Sequence, residues 1–225
     1  MTAQPLAAEF AAFREPAEFA TGDLGRQGLR MMFAAGEEIY AQSEEADLVY
    51  RVVTGSVRTT CLLSDGRRQI GDFYYAGDFF GLEAGAEHRF SAEALCATEV
   101  LVLKKSALWV YGEEGARLQR ALWEATAREL QRTQQHLMLL GRKTAFERVA
   151  SFLLGLAERT AAGPTGDQTT VLPMGRQDMA DYLGLTIETV SRMLTQLQSE
   201  NLVEFNGCRR FRLKNRDALA RMAID

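Results

Sequence analysis

Residues 175–198, GRQDMADYLGLTIETVSRMLTQLQ, predict two short helices joined by a tight turn. Apolar residues recur at helical spacing before Gly184, and glycine ends helices because it adopts left-handed backbone without steric cost. Thr186 then offers a hydroxyl cap to a second helix, and Glu188 falls in its first turn, where the helix dipole favours an anion. The small side chain of Ala180 permits a close crossing, so the stretch predicts a helix-turn-helix. The positions of the second helix expected to pack inward are Ile187, Val190, Leu194 and Leu197.

A short hairpin is predicted immediately after the second helix, over residues 202–213, LVEFNGCRRFRL. Asn206–Gly207 is the residue pair that a type I′ turn prefers, so we expect two strands that form a wing. From residue 142 onward 12 Lys+Arg outnumber 10 Asp+Glu, whereas residues 1–141 hold 14 against 20. This asymmetry is typical of an acidic module joined to one that binds a polyanion, although a solvated basic edge would give the same pattern. The basic residues crowded after the turn are Arg209, Arg210, Arg212, Lys214 and Arg216.

One face of the second helix carries a set of polar side chains suited to base edges. Glu188 and Arg192 are four residues apart and Ser191 adjoins them, so all three share a face. In a major groove, arginine donates to guanine, glutamate accepts from cytosine, and serine does either. The alternative is a solvent-exposed salt bridge between Glu188 and Arg192, worth only about 0.2–0.5 kcal/mol. The preceding helix, the turn and the wing together favour DNA binding.

Upstream, residues 29–105 break into short strand-like runs, of which residues 48–63, LVYRVVTGSVRTTCLL, are an example. Many short strands separated by regular turns indicate a sandwich or closed roll. With the helices that follow, the fold class is therefore α+β. The turn signals between the runs are Gly36, Gly55–Ser56, Asp65–Gly66 and Gly77–Asp78.

Between the two modules, residues 116–140 contain good helix formers and neither glycine nor proline, which predicts a long helix. The predicted helix carries two apolar stripes, a main stripe and, beside it, a second stripe through Leu118, Leu122 and Ala125. Two apolar faces suggest two partners, the strand-rich module and a second subunit, although a helix packed wholly within one chain would also be amphipathic. The main stripe, predicted as the dimer interface, consists of Trp123, Thr126, Leu130, Thr133, Leu137 and Leu140.

The composition excludes several function classes. The 225 residues carry a net charge of −4, and no apolar run approaches the roughly 18 residues of a membrane span. Residues 1–16, MTAQPLAAEFAAFREP, do not resemble a signal peptide, so we expect a cytoplasmic protein with no membrane partner. Its three cysteines are far apart, which argues against disulfides and zinc. No nucleophile elbow, phosphate-binding loop or dinucleotide fingerprint is present, so an enzyme is not expected.

The residues 175–198 quoted above resemble the helix-turn-helix of the CRP/FNR family of bacterial transcription regulators, and FERVASFLL (146–154) and GDFFGLEAG (77–85) resemble other family passages. Ile187 in front of ETVSR resembles the FNR and FixK branch more than the cyclic-AMP receptors, which have arginine there. The resemblance covers nearly the whole chain. It implies a cyclic-nucleotide-binding-like β-roll, or jelly roll, over residues 1–110, a dimerisation helix over 111–141 and a winged helix-turn-helix over 142–225.

The resemblance also implies roles for particular residues. Glu188, Ser191 and Arg192 would contact bases in a two-fold symmetric site resembling TTGAT-N4-ATCAA, bound by a homodimer that acts on RNA polymerase. Half-sites roughly 34 Å apart require two paired recognition helices. The residues expected to hold DNA phosphates are Arg176, Gln177, Thr186, Thr189 and Arg209.

Departures from the family's patterns concern the sensor module. An FNR-type iron–sulfur cluster needs four thiolates, and three scattered cysteines cannot supply them. The nucleotide pocket's Gly-Glu-Leu run is replaced by Gly81-Leu82-Glu83, and Arg89 lacks the following serine, so we expect Glu83 and Arg89 to be satisfied structural polar residues. The chain therefore resembles the FixK-type activators most. This resemblance implies an effector-independent activator of genes for low-oxygen respiration or nitrogen fixation, and it implies no cofactor. The alternative is a ligand-gated regulator, with haem on His88 or a small molecule in the roll.

Cys208 lies in the predicted wing beside Arg209 and Arg210, whose positive charge favours a thiolate. Oxidation there would add bulk or negative charge near DNA phosphates and weaken binding. The alternative is an incidental cysteine without a redox role.

Overall fold

The computed structural model describes residues 28–106, 113–160 and 169–224. The chain divides into two compact units between Arg132 and Thr133, a point that lies inside one long helix. The predicted boundary between residues 110 and 111 falls outside the described residues, and the three-part functional division stays a prediction. Among the residues described, no helix is both long and apolar enough to cross a membrane.

The first unit contains two four-stranded antiparallel sheets, which confirms the strand-rich module. Strands β1, β8, β3 and β6 form one sheet in that order, and β2, β7, β4 and β5 form the other. The strands are β1 (Leu29–Phe33), β2 (Glu38–Tyr40), β3 (Leu48–Thr54), β4 (Ser56–Leu62), β5 (Arg68–Tyr75), β6 (Phe79–Phe80), β7 (Ser91–Ala94) and β8 (Thr98–Lys104). Inward-facing side chains from both sheets meet in one apolar cluster, since alternate residues of a strand face the same side. Its fully buried members include Val52, Val57, Phe80 and Val100.

The β4–β5 hairpin illustrates how local sequence directs these strands. Leu63 donates its backbone N–H to the carbonyl of Arg67 at 2.8 Å, and Gly66 donates to Leu63 at 2.9 Å. The Leu63–Arg67 bond therefore closes a loop of three residues, and Gly66 within it takes a φ of +84° that most side chains would oppose. The Asp65–Gly66 turn signal is located where the sequence predicts it.

Helix α1 (Glu113–Arg142) follows, and part of it packs on the first sheet. From the predicted second stripe, the buried Ala125 and the partly buried Leu122 pack against this sheet, and Leu118 is also buried. The side chains of β3, β6 and β8 that share this second apolar cluster with α1 are Val49, Phe79, Leu101 and Leu103.

A polar network beside this apolar contact fixes α1 to β5. Arg132 donates through Nε to Asp72 Oδ2 at 2.7 Å, and its Nη1 lies 3.7 Å from Asp78 Oδ1. One turn earlier, Glu129 accepts a hydrogen bond from the Tyr74 hydroxyl at 3.1 Å. Burial raises the pKa of Glu129 above its ordinary value, against the opposing effects of the Tyr74 hydrogen bond and the charge of Arg132.

The second unit is helical with a small sheet. It contains α2 (Ala145–Thr160), β9 (Thr169–Val171), α3 (Arg176–Leu183), α4 (Ile187–Ser199), β10 (Val203–Phe205), β11 (Arg210–Leu213) and α5 (Arg216–Ile224), together with the end of α1. The apolar face of α2 is buried at Val149, Phe152, Leu153 and Leu156. The sequence interpretation did not include α5, whose Leu219 is fully buried.

The wing hairpin forms, but the prediction of its turn is wrong. A two-residue turn on Asn206–Gly207 would pair Phe205 with Cys208, whereas the structure pairs Phe205 with Phe211. Asn206 instead donates to the carbonyl of Arg210 at 3.0 Å, which leaves a longer loop. The observed register places apolar side chains opposite one another and buries Phe211 completely, and this outweighs local turn preference.

Candidate nucleic-acid interface

The turn between α3 and α4 is built as the sequence predicts. Gly184 adopts a left-handed φ of +61° and donates its N–H to Ala180, which is fully buried at the crossing. A Cβ at Gly184 would make an ordinary contact, 3.4 Å from Leu140 Cδ2, so the left-handed backbone rather than crowding favours glycine. Thr186 then caps α4, its hydroxyl accepting from the N–H of Thr189 at 3.2 Å. The two helices are thus held in a defined relation before any ligand binds.

Helix α4 has one buried face and one exposed face. Val190, Leu194 and Leu197 are buried, with at most 4 % of their surface exposed. Ile187 was predicted to pack with them, but 37 % of it is exposed. It begins the helix, at a point where the chain has not yet entered the core, so helical spacing alone misplaces it. Its exposed apolar surface lies directly before Glu188 in the sequence.

The opposite face carries the predicted base-contacting residues. Glu188 and Arg192 are exposed and Ser191 is half-buried. Arg192 donates through Nη2 to the Thr189 hydroxyl at 3.2 Å rather than forming the salt bridge with Glu188 that the alternative required. Ser191 accepts from Arg176 Nη1 at 3.2 Å, which links the start of α3 to this face.

The electrostatics of this face keep both signs of charge available. The pKa of Glu188 is lowered by its own backbone N–H, then by the Thr186 side chain and by the positive charge of Arg192. Glu188 is therefore a carboxylate at neutral pH and can only accept hydrogen bonds. Beside it, Arg192 only donates, so the face offers a fixed acceptor next to a fixed donor.

The predicted phosphate-binding residues lie around the starts of both helices. Arg176 and Gln177 open α3 and are exposed, and Thr186 is an exposed residue at the cap of α4, with Thr189 half-buried one turn on. Helix N-termini attract anions because their N–H groups point outward and their dipole is positive there. In the wing loop, Arg209 donates to the carbonyl of Pro173 at 2.7 Å, so the loop is tied to the segment that leads into α3.

Two residues that sequence reasoning missed hold the helix-turn-helix against the end of α1. Arg148 donates from Nη1 to the carbonyl of Leu183 at 2.9 Å and from Nη2 to Leu140 at 2.8 Å. One guanidinium thus satisfies the C-terminal ends of two helices, whose carbonyls lack intrahelical partners. His136 stacks on Tyr182 with ring centroids 4.0 Å apart. The only sequence signal for Arg148 was its place in the FERVASFLL passage.

The polar residues of the roll that the sequence singled out differ in burial. His88 is buried, stacks on Tyr40 at 3.6 Å between centroids, and lies 3.4 Å from Glu83 Oε2. The prediction that Glu83 is a satisfied structural group is wrong, because its Oε2 is buried without a hydrogen bond. Arg89 is exposed, and its structural role stays a prediction. The nitrogen facing it, His88 Nδ1, also has no hydrogen-bond partner, although the two atoms lie only 3.4 Å apart.

All three cysteines are free. Cys208 is exposed in the wing loop, Cys61 is half-buried in β4 and Cys96 is buried. The redox role of Cys208 stays a prediction.

Comparison with known proteins agrees with this geometry. The family of Crp-like helix-turn-helix domains matches residues 147–222, and that of cyclic nucleotide-binding domains matches residues 30–111. The nitrogen fixation regulation protein FixK of Azorhizobium caulinodans is 47 % identical over 87 % of this chain and 79 % of its own. FixK of Rhizobium meliloti is 43 % identical, with 83 % of each chain covered.

Among solved structures, FixK2 from Bradyrhizobium japonicum superimposes with a TM-score of 0.78 at 46 % identity, covering 88 % of this chain and 98 % of that one. The similarity extends through both units rather than the helix-turn-helix alone. The chain therefore belongs to the CRP/FNR family of DNA-binding transcription regulators, in its FixK-like branch.

Proposed function

We propose that this protein activates transcription of genes for low-oxygen respiration or nitrogen fixation by binding, as a homodimer, a palindrome of the TTGAT-N4-ATCAA type. The observation that carries the proposal is the exposed polar face of α4 opposite its buried apolar face. The names of the FixK relatives support the class of target genes. A relative from Rhodopseudomonas palustris, 39 % identical, is named a transcriptional activatory protein and supports activation.

Base recognition is assigned to α4. Arg192 exchanges its contact with Thr189 for two hydrogen bonds to one guanine. Guanine presents two acceptors in one plane, and they match the planar guanidinium. Glu188 accepts from a cytosine amino group, and its lowered pKa keeps it ionised for that role. Ser191 supplies a hydroxyl between them. Each good base contact contributes about 1–3 kcal/mol of discrimination.

Phosphate binding is assigned to the helix starts and the wing. Arg176, Gln177, Thr186 and Thr189 lie beside the base-contacting face, and Arg209 is held by Pro173 in the wing loop. Contacts of this kind fix the register of a protein on the duplex, and they carry no sequence information directly. Their contribution falls as salt rises, because each neutralised phosphate releases counterions.

Dimerisation is assigned to the main stripe of α1. Trp123, Leu130 and Leu137 recur every seven residues and are 75 %, 59 % and 71 % exposed in the protomer. Thr126 and Thr133, also exposed, follow the same seven-residue step beside them, and the half-buried Leu140 continues it. A heptad repeat of this kind forms the seam of a two-helix coiled coil, and large apolar side chains left in water favour its formation.

Regulation is assigned to the amount of protein rather than to a bound effector, as in the FixK-type regulators it resembles. The dimer acts in the cytoplasm and contacts RNA polymerase from the DNA. No cofactor is required for this scheme.

The proposal is tested by fluorescence anisotropy with the purified protein, without added effector, on a duplex containing TTGAT-N4-ATCAA and on a scrambled duplex of equal composition. We expect the palindrome to bind at least 1000-fold more tightly, the lower end of the range for specific regulators. Sedimentation velocity on the same sample should give a dimer. Equal affinity for the two duplexes, or a monomer bound to one half-site, would contradict the proposal.

A further inference from the structure

Thr195 lies at the centre of the exposed face of α4, although no base-contacting role has been assigned to it above. Successive residues of a helix are rotated by about 100°, so relative to Glu188 the side chains of Ser191, Arg192 and Thr195 lie at about −60°, +40° and −20°. Thr195 is exposed and lies about 10 Å further along the helix axis than Glu188. The base-contacting face therefore continues beyond Arg192.

The surroundings of Thr195 form a shallow concavity on this side of α4. The concavity has a volume of about 390 Å³ and is lined by Ser191, Arg192, Thr195, Gln196 and Ser199. The side chains at its far end are engaged with the helix itself: Gln196 donates to Glu200 at 2.8 Å, and the Ser199 hydroxyl donates to the carbonyl of Gln196 at 2.9 Å. They leave the surface around Thr195 open.

The hydroxyl of Thr195 is also engaged within the helix. It donates to the backbone carbonyl of Ser191 at 3.0 Å, the bond by which threonine in a helix satisfies its own donor. The groups that remain for a ligand are the acceptor lone pairs of the hydroxyl oxygen and the methyl, and of these only the methyl can make an apolar contact. In the major groove, a threonine methyl is one of the apolar groups that pack on the 5-methyl of thymine.

We propose that the Thr195 methyl contacts the 5-methyl group of one thymine in each half-site and so selects thymine there. This inference rests on the proposed function, because it requires α4 to enter the major groove. It adds an apolar contact to the polar contacts of Glu188, Ser191 and Arg192. It also extends the length of sequence that α4 distinguishes.

The test replaces each thymine of the TTGAT-N4-ATCAA duplex in turn by uracil, in both half-sites, since uracil lacks only the methyl. Affinities are measured by anisotropy for the full-length wild type and for Thr195→Ser, which loses the methyl and keeps the hydroxyl. At one position, the wild type should bind the uracil duplex about 4-fold more weakly than the thymine duplex for each substituted half-site. This loss corresponds to about 0.8 kcal/mol for one buried carbon, and substitution in both half-sites should weaken binding about 16-fold. Thr195→Ser should bind the thymine duplex with the same loss and show no further loss with uracil.

Two further variants serve as controls. Thr195→Val keeps a methyl and loses the hydroxyl, so it should keep the uracil penalty. Thr160→Ser changes a threonine on α2 that makes the same bond, to the carbonyl of Leu156 at 2.7 Å, and it should behave as the wild type does.

The outcomes separate the two proposals. If the wild type prefers the palindrome to the scrambled duplex but Thr195→Ser keeps every uracil penalty, the methyl contact is overturned and the proposed function stands. The same conclusion follows if no uracil substitution weakens the wild type. If the wild type does not prefer the palindrome, both proposals fail together.

Discussion

Replacing Leu137 by alanine should weaken the dimer without unfolding the protomer. Leu137 is 71 % exposed in the protomer, so little of its packing is lost within one chain. Fully burying a leucine contributes about 1.5–3 kcal/mol, and the exposed share of that is about 1–2 kcal/mol per protomer. A two-fold interface contains the residue twice, so the dimer loses about 2–4 kcal/mol, which raises its dissociation constant about 30-fold to 1000-fold.

The measurement is a sedimentation-equilibrium series over protein concentration, with thermal unfolding as a check on the protomer. Gln135→Ala is the matched control, because Gln135 is exposed on the same helix about 160° from Leu137 and glutamine and alanine are both good helix formers. Affinity for the palindrome should fall with the loss of dimer, since one recognition helix alone cannot contact both half-sites. An unchanged dissociation constant in Leu137→Ala, or an equal change in Gln135→Ala, would refute the assignment of this stripe.

Three other substitutions test the site and the fold. Arg192→Ala should cost about 1–3 kcal/mol of affinity and relax preference at one base pair, measured on operators carrying single-base changes; full discrimination in the variant would contradict its role. Arg176→Gln should weaken binding to all sequences alike and reduce the slope of log affinity against log salt by about one per protomer, and a sequence-dependent loss would reassign it. Glu129→Gln tests the buried network: because burial raises the pKa of Glu129 above 4.5, its contribution to stability is present below that pH and is lost as pH rises through the raised pKa. The variant should flatten the dependence of the free energy of unfolding on pH above 4.5, measured by urea titration of both proteins, and an unchanged slope would exclude Glu129 as its source.

Where a local pattern and its packing agreed, the sequence alone was sufficient. Gly184 and Thr186 mark the turn of the helix-turn-helix by intrinsic backbone preference and capping, and both have the predicted conformations. Leu118 and Ala125 indicated a packed face by helical period. Such features depend on residues a few positions apart, which a linear pattern records directly.

Errors arose where distant parts of the chain decide the outcome. The wing register is set by Phe211, which is paired with both Phe205 and Thr170 and fully buried, so the Asn206–Gly207 preference is overridden. The oxygen of Glu83 that lacks a hydrogen bond is buried by the fold beside His88, which a local pattern does not specify.

The amino-acid sequence by itself determined the order of the modules, the helix-turn-helix and the residue types on the face of α4, because helical period, caps and glycine conformations are local properties. The tertiary structure decided which of those residues face solvent, as for Ile187, and how the recognition helices are held, as by Arg148 on the carbonyls of Leu140 and Leu183. The physical reason is that burial and the pairing of helix ends depend on contacts between segments far apart in the chain, which no local pattern specifies.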